Sequence, residues 1–276
     1  MSDDKICFIG GGNMAVSIIG GLVADGRAAE TISVADPSAD ALAGLNTRWP
    51  GLATTTDNAA AIAGAAVVVL AVKPQILREV CEALAPVLAD RRALVLSIAA
   101  GVRAGDIDRW LGGEQAIVRC MPNTPALVRS GASGLFATGQ VTADQRNAAE
   151  RVMRAVGLTL WVDEEARLDA VTAVSGSGPA YFFYVMEAMQ AAGVKLGLTP
   201  EQARLLVLET AFGAAKLALE SSDDAATLRA RVTSRGGTTE RAIQVLEAGD
   251  LKRLFEEALT AAAQRAAELG DELGKD

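Results

Sequence analysis

KICFIGGGNMAVSIIG, from Lys5 to Gly20, is the stretch on which the fold turns. Its apolar run Ile6-Cys7-Phe8-Ile9 breaks into Gly10, Gly11 and Gly12 and resumes as Met14, Ala15, Val16, Ile18 and Ile19. The pattern predicts a strand, a tight glycine turn and a helix. In the G-x-G-x-x-A spacing, Gly10 turns the chain, Gly12 lets backbone amides approach a pyrophosphate, and Ala15 lets the helix sit close on a sheet. A diphosphate would rest on the unpaired N–H groups at the positive end of that helix, beyond Gly11 and Gly12. The other reading is a glycine turn without a ligand. Asp36, closing the next apolar run about twenty residues on, is the acidic residue the fingerprint requires.

Working outward, Thr31 to Ala35, Val67 to Val72, Leu94 to Ile98, Ile117 to Cys120, Gly134 to Ala137 and Leu158 to Val162 read as further strands. Helical stretches begin at Asn58 and span about 143 to 155, and the alternation predicts a doubly wound parallel sheet. Asp36-Pro37-Ser38 places a carboxylate that accepts from ribose hydroxyls and repels a 2′-phosphate, or else merely caps a turn. Val72-Lys73-Pro74 leaves the sheet at its carboxyl edge, the ligand side of such folds, and Ala99-Ala100-Gly101 offers flat backbone for a ring. Met121-Pro122-Asn123-Thr124-Pro125 is a rigid segment that holds the Asn123 amide in place.

Beyond Asp163 nothing reads as a strand, which divides the chain into residues 1–162 and an all-helical 163–276. Ser175-Gly176-Ser177-Gly178-Pro179 interrupts a helical pattern, as a backbone wall or a kink. Thr199-Pro200-Glu201-Gln202 is a capping box opening a helix apolar nearly all round, from Leu205 to Leu219. So small a domain has little interior for it, so burial against a partner subunit is expected. Val232-Thr233-Ser234-Arg235-Gly236-Gly237-Thr238-Thr239-Glu240 gathers four hydroxyls and two glycines at a helix start, suited to a carboxylate. A single cap needs only one hydroxyl.

The 276 residues carry 26 basic and 34 acidic side chains, a net charge of −8, with no basic stripe for nucleic acid. The opening MSDDK lacks the basic region of a secretory signal, and the longest apolar run is too short to span a bilayer. Three scattered cysteines indicate neither disulfides nor a metal site and fit a reducing cytoplasm. Histidine is absent, which removes serine and cysteine hydrolases of the His type and any imidazole acid or base.

FIGGGNM, AVKPQ, CMPNTP, AVSGSGPAY, GLTPEQAR and VTSRGGTTERAIQVLEAG together resemble, in order and over nearly the whole chain, the pyrroline-5-carboxylate reductase family. SGSGPAY followed by the TS-x-GGTT block is specific to it. The resemblance implies an N-terminal Rossmann domain, a helical C-terminal domain interlocked with a second subunit, an active site between them, and NAD(H) or NADP(H) as cofactor. It implies cofactor contacts at Gly10, Gly12, Asn13, Met14, Asn58, Val72, Lys73 and Ala100. Substrate contacts would fall at Glu165, Ser234, Thr238 and Thr239, with the Gly237 amide nearby. Thr239 is then the partner or proton donor of the ring nitrogen, directly or through water, unless the substrate binds already protonated.

Three departures stand out. Arg235 replaces the family's usual Pro, Arg231 replaces an uncharged residue, and Asp36 replaces a Ser that serves a 2′-phosphate, which tilts the expectation toward NADH. The rival expectations are a β-hydroxyacid dehydrogenase, for which Gly213 to Lys216 lacks the usual partners of the catalytic lysine, and a non-catalytic dinucleotide sensor.

Overall fold

The computed structural model describes residues 4–89 and 92–275; Met1 to Asp3 of the acidic opening lie outside them. The elements run β1 (Lys5–Ile9), α1 (Asn13–Ala24), β2 (Ile32–Ala35), α2 (Ala39–Arg48), β3 (Ala53–Thr55), α3 (Asn58–Ala61), β4 (Ala65–Leu70) and α4 (Pro74–Leu88). There follow β5 (Leu94–Ser97), α5 (Ala104–Trp110), β6 (Ala116–Met121), β7 (Gly131–Ala137), α6 (Ala143–Arg154), β8 (Gly157–Trp161) and α7 (Arg167–Val171). Helices α8 (Gly178–Lys195), α9 (Pro200–Glu220), α10 (Ala225–Arg231), α11 (Thr238–Ala248) and α12 (Leu251–Leu273) complete the chain. Two compact units result: residues up to Ser177 together with those from Ala262, and Gly178–Ala261.

The first unit is built on one eight-stranded sheet of order β3-β2-β1-β4-β5-β6-β7-β8. β1 is its topological switch, paired in parallel with β2 on one side and β4 on the other. Along β1 the side chains alternate faces: Ile6 and Phe8 join the core under α1, α2 and α6, while Cys7 and Ile9 join the one under α4 and α5. A strand covered on both faces is apolar throughout, which is why residues 6–9 and 67–70 read as continuous apolar runs.

The sheet is not parallel throughout, as the strand pattern led one to expect. β7 runs antiparallel to β6 and carries β8 parallel to itself. The reason is the connection. Residues 122–130 hold only a short 3₁₀ turn (Thr124–Val128), and a parallel return needs a crossover of about a dozen residues or more. The three-residue edge strand β3 escaped the sequence reading because it is too short to show alternation.

Cys7, Cys81 and Cys120 are fully buried, and burial raises their thiols to about 11, 12 and 12. At pH 8 the native protein is therefore expected to leave a chromogenic disulfide reagent unreacted, whereas in denaturant all three cysteines react. Rapid modification of the native form would contradict this burial.

In the second unit the capping box forms as its residues require. The Thr199 hydroxyl accepts from the Gln202 N–H at 3.2 Å and the Gln202 side chain accepts from the Thr199 N–H at 2.9 Å. Helix α8 packs on α9, and Gly193 admits the Ala203 methyl. The expectation that α9 is buried on all sides does not hold within one chain. Ala203 and Val207 are buried, yet Leu206, Phe212 and Leu219 stay exposed, as do Phe182, Phe183 and Tyr184 of α8. Among the described residues, no helix is long and apolar enough to cross a membrane.

Candidate active site

In the first unit the expected cofactor residues collect at the carboxyl ends of the parallel strands. Gly10 takes φ +102°, and a Cβ there would stand 2.6 Å from the Ala71 carbonyl oxygen, so only glycine lets β1 turn beside β4. The same glycine brings Val72 alongside. Gly12 is the N-cap of α1, and nothing lies within 4 Å of where its Cβ would be. No side chain caps α1 and no acid sits in its first turn, so the N–H groups at Gly12, Asn13 and Met14 face open space. That cradle fits a diphosphate: donors, a positive helix end and no Cβ in the way.

Asp36, at the end of β2, has both carboxylate oxygens engaged. One accepts from the Gly11 N–H at 2.8 Å, the other from the Ser38 N–H at 2.8 Å. It therefore fixes the glycine turn and begins its own loop, with its side chain beside the cradle. Lys73 is exposed without a partner among the described residues, and Ala100 is exposed beside the buried Ala99. Asn58 opens α3 behind the cap made by Asp57. A cleft of about 680 Å³ lies instead at the amino edge of the sheet, lined by Ile6, Gly64 and Leu94 at the starts of β1, β4 and β5.

Glu165 precedes α7, and one of its oxygens does two jobs. It accepts from the Ala104 N–H at 2.7 Å and from the Arg119 guanidinium at 3.0 Å. Arg119 is a functional candidate the sequence reading passed over, although a lone cation inside the run AIVRCM was the available signal. Asn123, singled out for its rigid setting, is occupied internally. Its amide nitrogen donates to the Ser175 carbonyl at 3.0 Å and its oxygen accepts from the Ala132 N–H at 2.9 Å. The Ser175-Gly176 interruption is a π-helical turn over Thr172–Gly176, and a Cβ on Gly176 would strike the Met121 side chain at 2.6 Å. The Met121 methyl group is the far end of a flexible side chain, so the contact is close without requiring glycine there.

The hydroxyl and glycine loop lies in the second unit. Gly237 is the N-cap of α11 with no side chain capping the helix, and a Cβ there would meet the Ser234 hydroxyl at 2.6 Å. Of the four hydroxyls, only Thr233 is engaged among the described residues, donating to the Arg229 carbonyl at 2.6 Å. Ser234, Thr238 and Thr239 make no side-chain hydrogen bond among the described residues, so the explanation of the loop as a generous cap fails. Glu240 folds back to accept from the Gly236 N–H at 2.7 Å and closes the loop. Of the two unusual arginines, Arg231 is held in a two-point ion pair by Asp223, and Arg235 is exposed.

A sheet with this switch point, this glycine cradle and an open helix end defines a dinucleotide-binding protein of the Rossmann class. The family model for NADP oxidoreductase, coenzyme F420-dependent, matches residues 5–101, and that for pyrroline-5-carboxylate reductase dimerisation matches residues 165–269. A pyrroline-5-carboxylate reductase of Pseudomonas aeruginosa is 53% identical over 275 residues, covering 100% of both chains. The solved pyrroline-5-carboxylate reductase of Coxiella burnetii superposes with a TM-score of 0.94 at 51% identity, over 97% of this chain and 99% of that one. The Plasmodium falciparum enzyme, solved with NADP bound, gives 0.85 at 28% identity over 98% and 99%. The chain belongs to the pyrroline-5-carboxylate reductase family.

Proposed function

We propose that this protein reduces L-1-pyrroline-5-carboxylate to L-proline, with NADH or NADPH as reductant. The reduced nicotinamide, when bound, supplies a hydride for the imine carbon. The chain's own work is binding and electrostatics, since a protonated imine is already electrophilic and a site without histidine suffices. Gly10 to Met14 hold the diphosphate on the open end of α1, with Asp36, Asn58, Val72, Lys73 and Ala100 as further cofactor contacts. Ser234, Gly237, Thr238 and Thr239 bind the substrate carboxylate through hydroxyls and amides, and Glu165 completes the substrate set. Thr239 hydrogen-bonds the ring nitrogen, directly or through a water: it positions a substrate that arrives protonated, and relays a solvent proton to one that does not.

The observation that carries this reading is the trio of unengaged hydroxyls at the uncapped start of α11, in a chain that matches this family from end to end. Residues 1–162 serve the dinucleotide. Residues 163–276 serve substrate and pairing, as a homo-oligomer with interlocked helical domains. Three free thiols and a net charge of −8 suit a soluble cytoplasmic enzyme.

Incubation with pyrroline-5-carboxylate and reduced dinucleotide should make absorbance at the nicotinamide band fall and proline accumulate. Dinucleotide binding without turnover would favour a sensor instead. Asp36 sets the choice of reductant, because its carboxylate repels a 2′-phosphate. Asp36→Ser is expected to move the NADPH-to-NADH ratio of kcat/KM about tenfold toward NADPH. An unmoved ratio would remove Asp36 from that role.

A further inference from the structure

Arg119 lies on an inner strand and is only 3% exposed. A guanidinium removed from water is destabilising unless a carboxylate and well-placed hydrogen bonds compensate it. Its partner is Glu165, at 3.0 Å, and the same carboxylate oxygen takes the Ala104 N–H at 2.7 Å. Ala104 is the first residue of α5, a helix with no other side-chain cap. One oxygen thus ties β6, the segment before α7 and the start of α5 to a single point.

That point ends the connection running from Ser97 to Ala104, which carries Ala100. Gly101 turns there at φ +80°, and a Cβ on it would touch Leu273 at 3.0 Å. Arg103 adds a second tether, donating to the Ala267 carbonyl at 3.4 Å and to Asp271 at 3.2 Å. The charged groups around the pair are Arg103, Asp169 and Asp271. Asp169 has its carboxyl raised because burial outweighs the attraction of Arg103 and Arg119. A buried ion pair adds little stability over an apolar pair of the same shape, but the rigid guanidinium fork does set a direction.

We propose that Arg119, acting through Glu165, is a positioning residue that fixes the Ser97–Ala104 connection and with it the backbone at Ala100 where the dinucleotide is held. The proposal rests on the cofactor contact assigned above. Displacing that backbone by about an ångström is enough to cost one to two powers of ten in binding or rate.

The test is direct dinucleotide binding by nicotinamide fluorescence, without substrate, together with steady-state kinetics and melting curves. Arg119→Met is expected to raise the dinucleotide Kd and KM about tenfold, and Arg119→Lys, which keeps the charge but loses the fork, by a smaller factor. The double variant Arg119→Met/Glu165→Gln should bind dinucleotide no worse than the poorer single variant, because both act through one contact. A folded Arg119→Met chain with unchanged dinucleotide Kd and KM overturns the proposal, even if its melting temperature falls; so do additive losses in the double variant. Should Arg119→Met fail to fold by circular dichroism, Arg119→Lys is judged by the same Kd criterion. A wild-type chain that binds dinucleotide without reducing pyrroline-5-carboxylate overturns the reading of the reaction, and the binding arm still judges Arg119.

Discussion

Thr238→Val and Thr239→Val are each expected to lower kcat/KM for pyrroline-5-carboxylate by about ten- to a hundredfold while leaving the melting temperature nearly unchanged. Valine copies the shape of threonine without its hydroxyl, and neither hydroxyl supports the fold: α11 has no side-chain cap, and neither group bonds within the described chain. What is removed is a donor to an ionised ligand, worth about 1.5 to 3 kcal/mol. The helix end contributes only about 0.3 to 1 kcal/mol and survives both substitutions.

The two variants should differ in how the loss divides. Thr238→Val should act mainly on KM, as loss of a carboxylate contact. Thr239→Val should act on kcat as well if its hydroxyl serves the ring nitrogen. Full turnover in Thr239→Val would end the donor role, and unchanged kcat/KM in both would move the carboxylate site elsewhere.

How far such a site can be read from a sequence depends on whether the signal is local. The glycine cradle was legible because its strand, turn and helix are consecutive and each glycine answers a local steric demand. The Thr199 capping box was legible for the same reason. The direction of β7 was not, since it depends on whether residues 122–130 leave room for a crossover rather than on the strand's composition. Asp36 could be placed at the end of β2, but its second bond, to Gly11, joins residues twenty-five apart and needs the sheet. Glu165 became visible only through the family resemblance. Arg119 was passed over: a lone cation in an apolar run is a weak local signal, and its partner lies 46 residues away. The loop at Ser234 to Thr239 announced its excess of hydroxyls. That three of them stay unengaged is a fact about packing.

The apolar surface of α8 and α9 yields the other large effect: Phe212→Glu is expected to convert the oligomer to monomer and to abolish most activity. Within one chain Phe212 is 65% exposed and Phe182 68%, with Leu206 and Leu219 also in water. Monomeric soluble proteins rarely expose large apolar patches, and these two helices, packed on each other, leave several large apolar side chains uncovered. The chain's match to the family's dimerisation region, residues 165–269, supports a homo-oligomer, in which a second copy is taken as the cover of this face. In a two-fold pair each substitution appears twice, and burying an unpaired carboxylate costs several kcal/mol per ion, so the dissociation constant should rise at least a thousandfold, by an estimate of about 1.4 kcal/mol per factor of ten. The free monomer should remain folded in the sheet-bearing unit, whose cores lie in β1, β4 and the helices over them. Dinucleotide binding by the glycine cradle would then persist, weakened, while turnover is lost. Sedimentation across a dilution series, read beside dinucleotide fluorescence and activity, separates these effects. A Phe212→Glu chain that sediments as the wild-type oligomer at every dilution and keeps its activity would show that this face of α9 is not what joins the subunits.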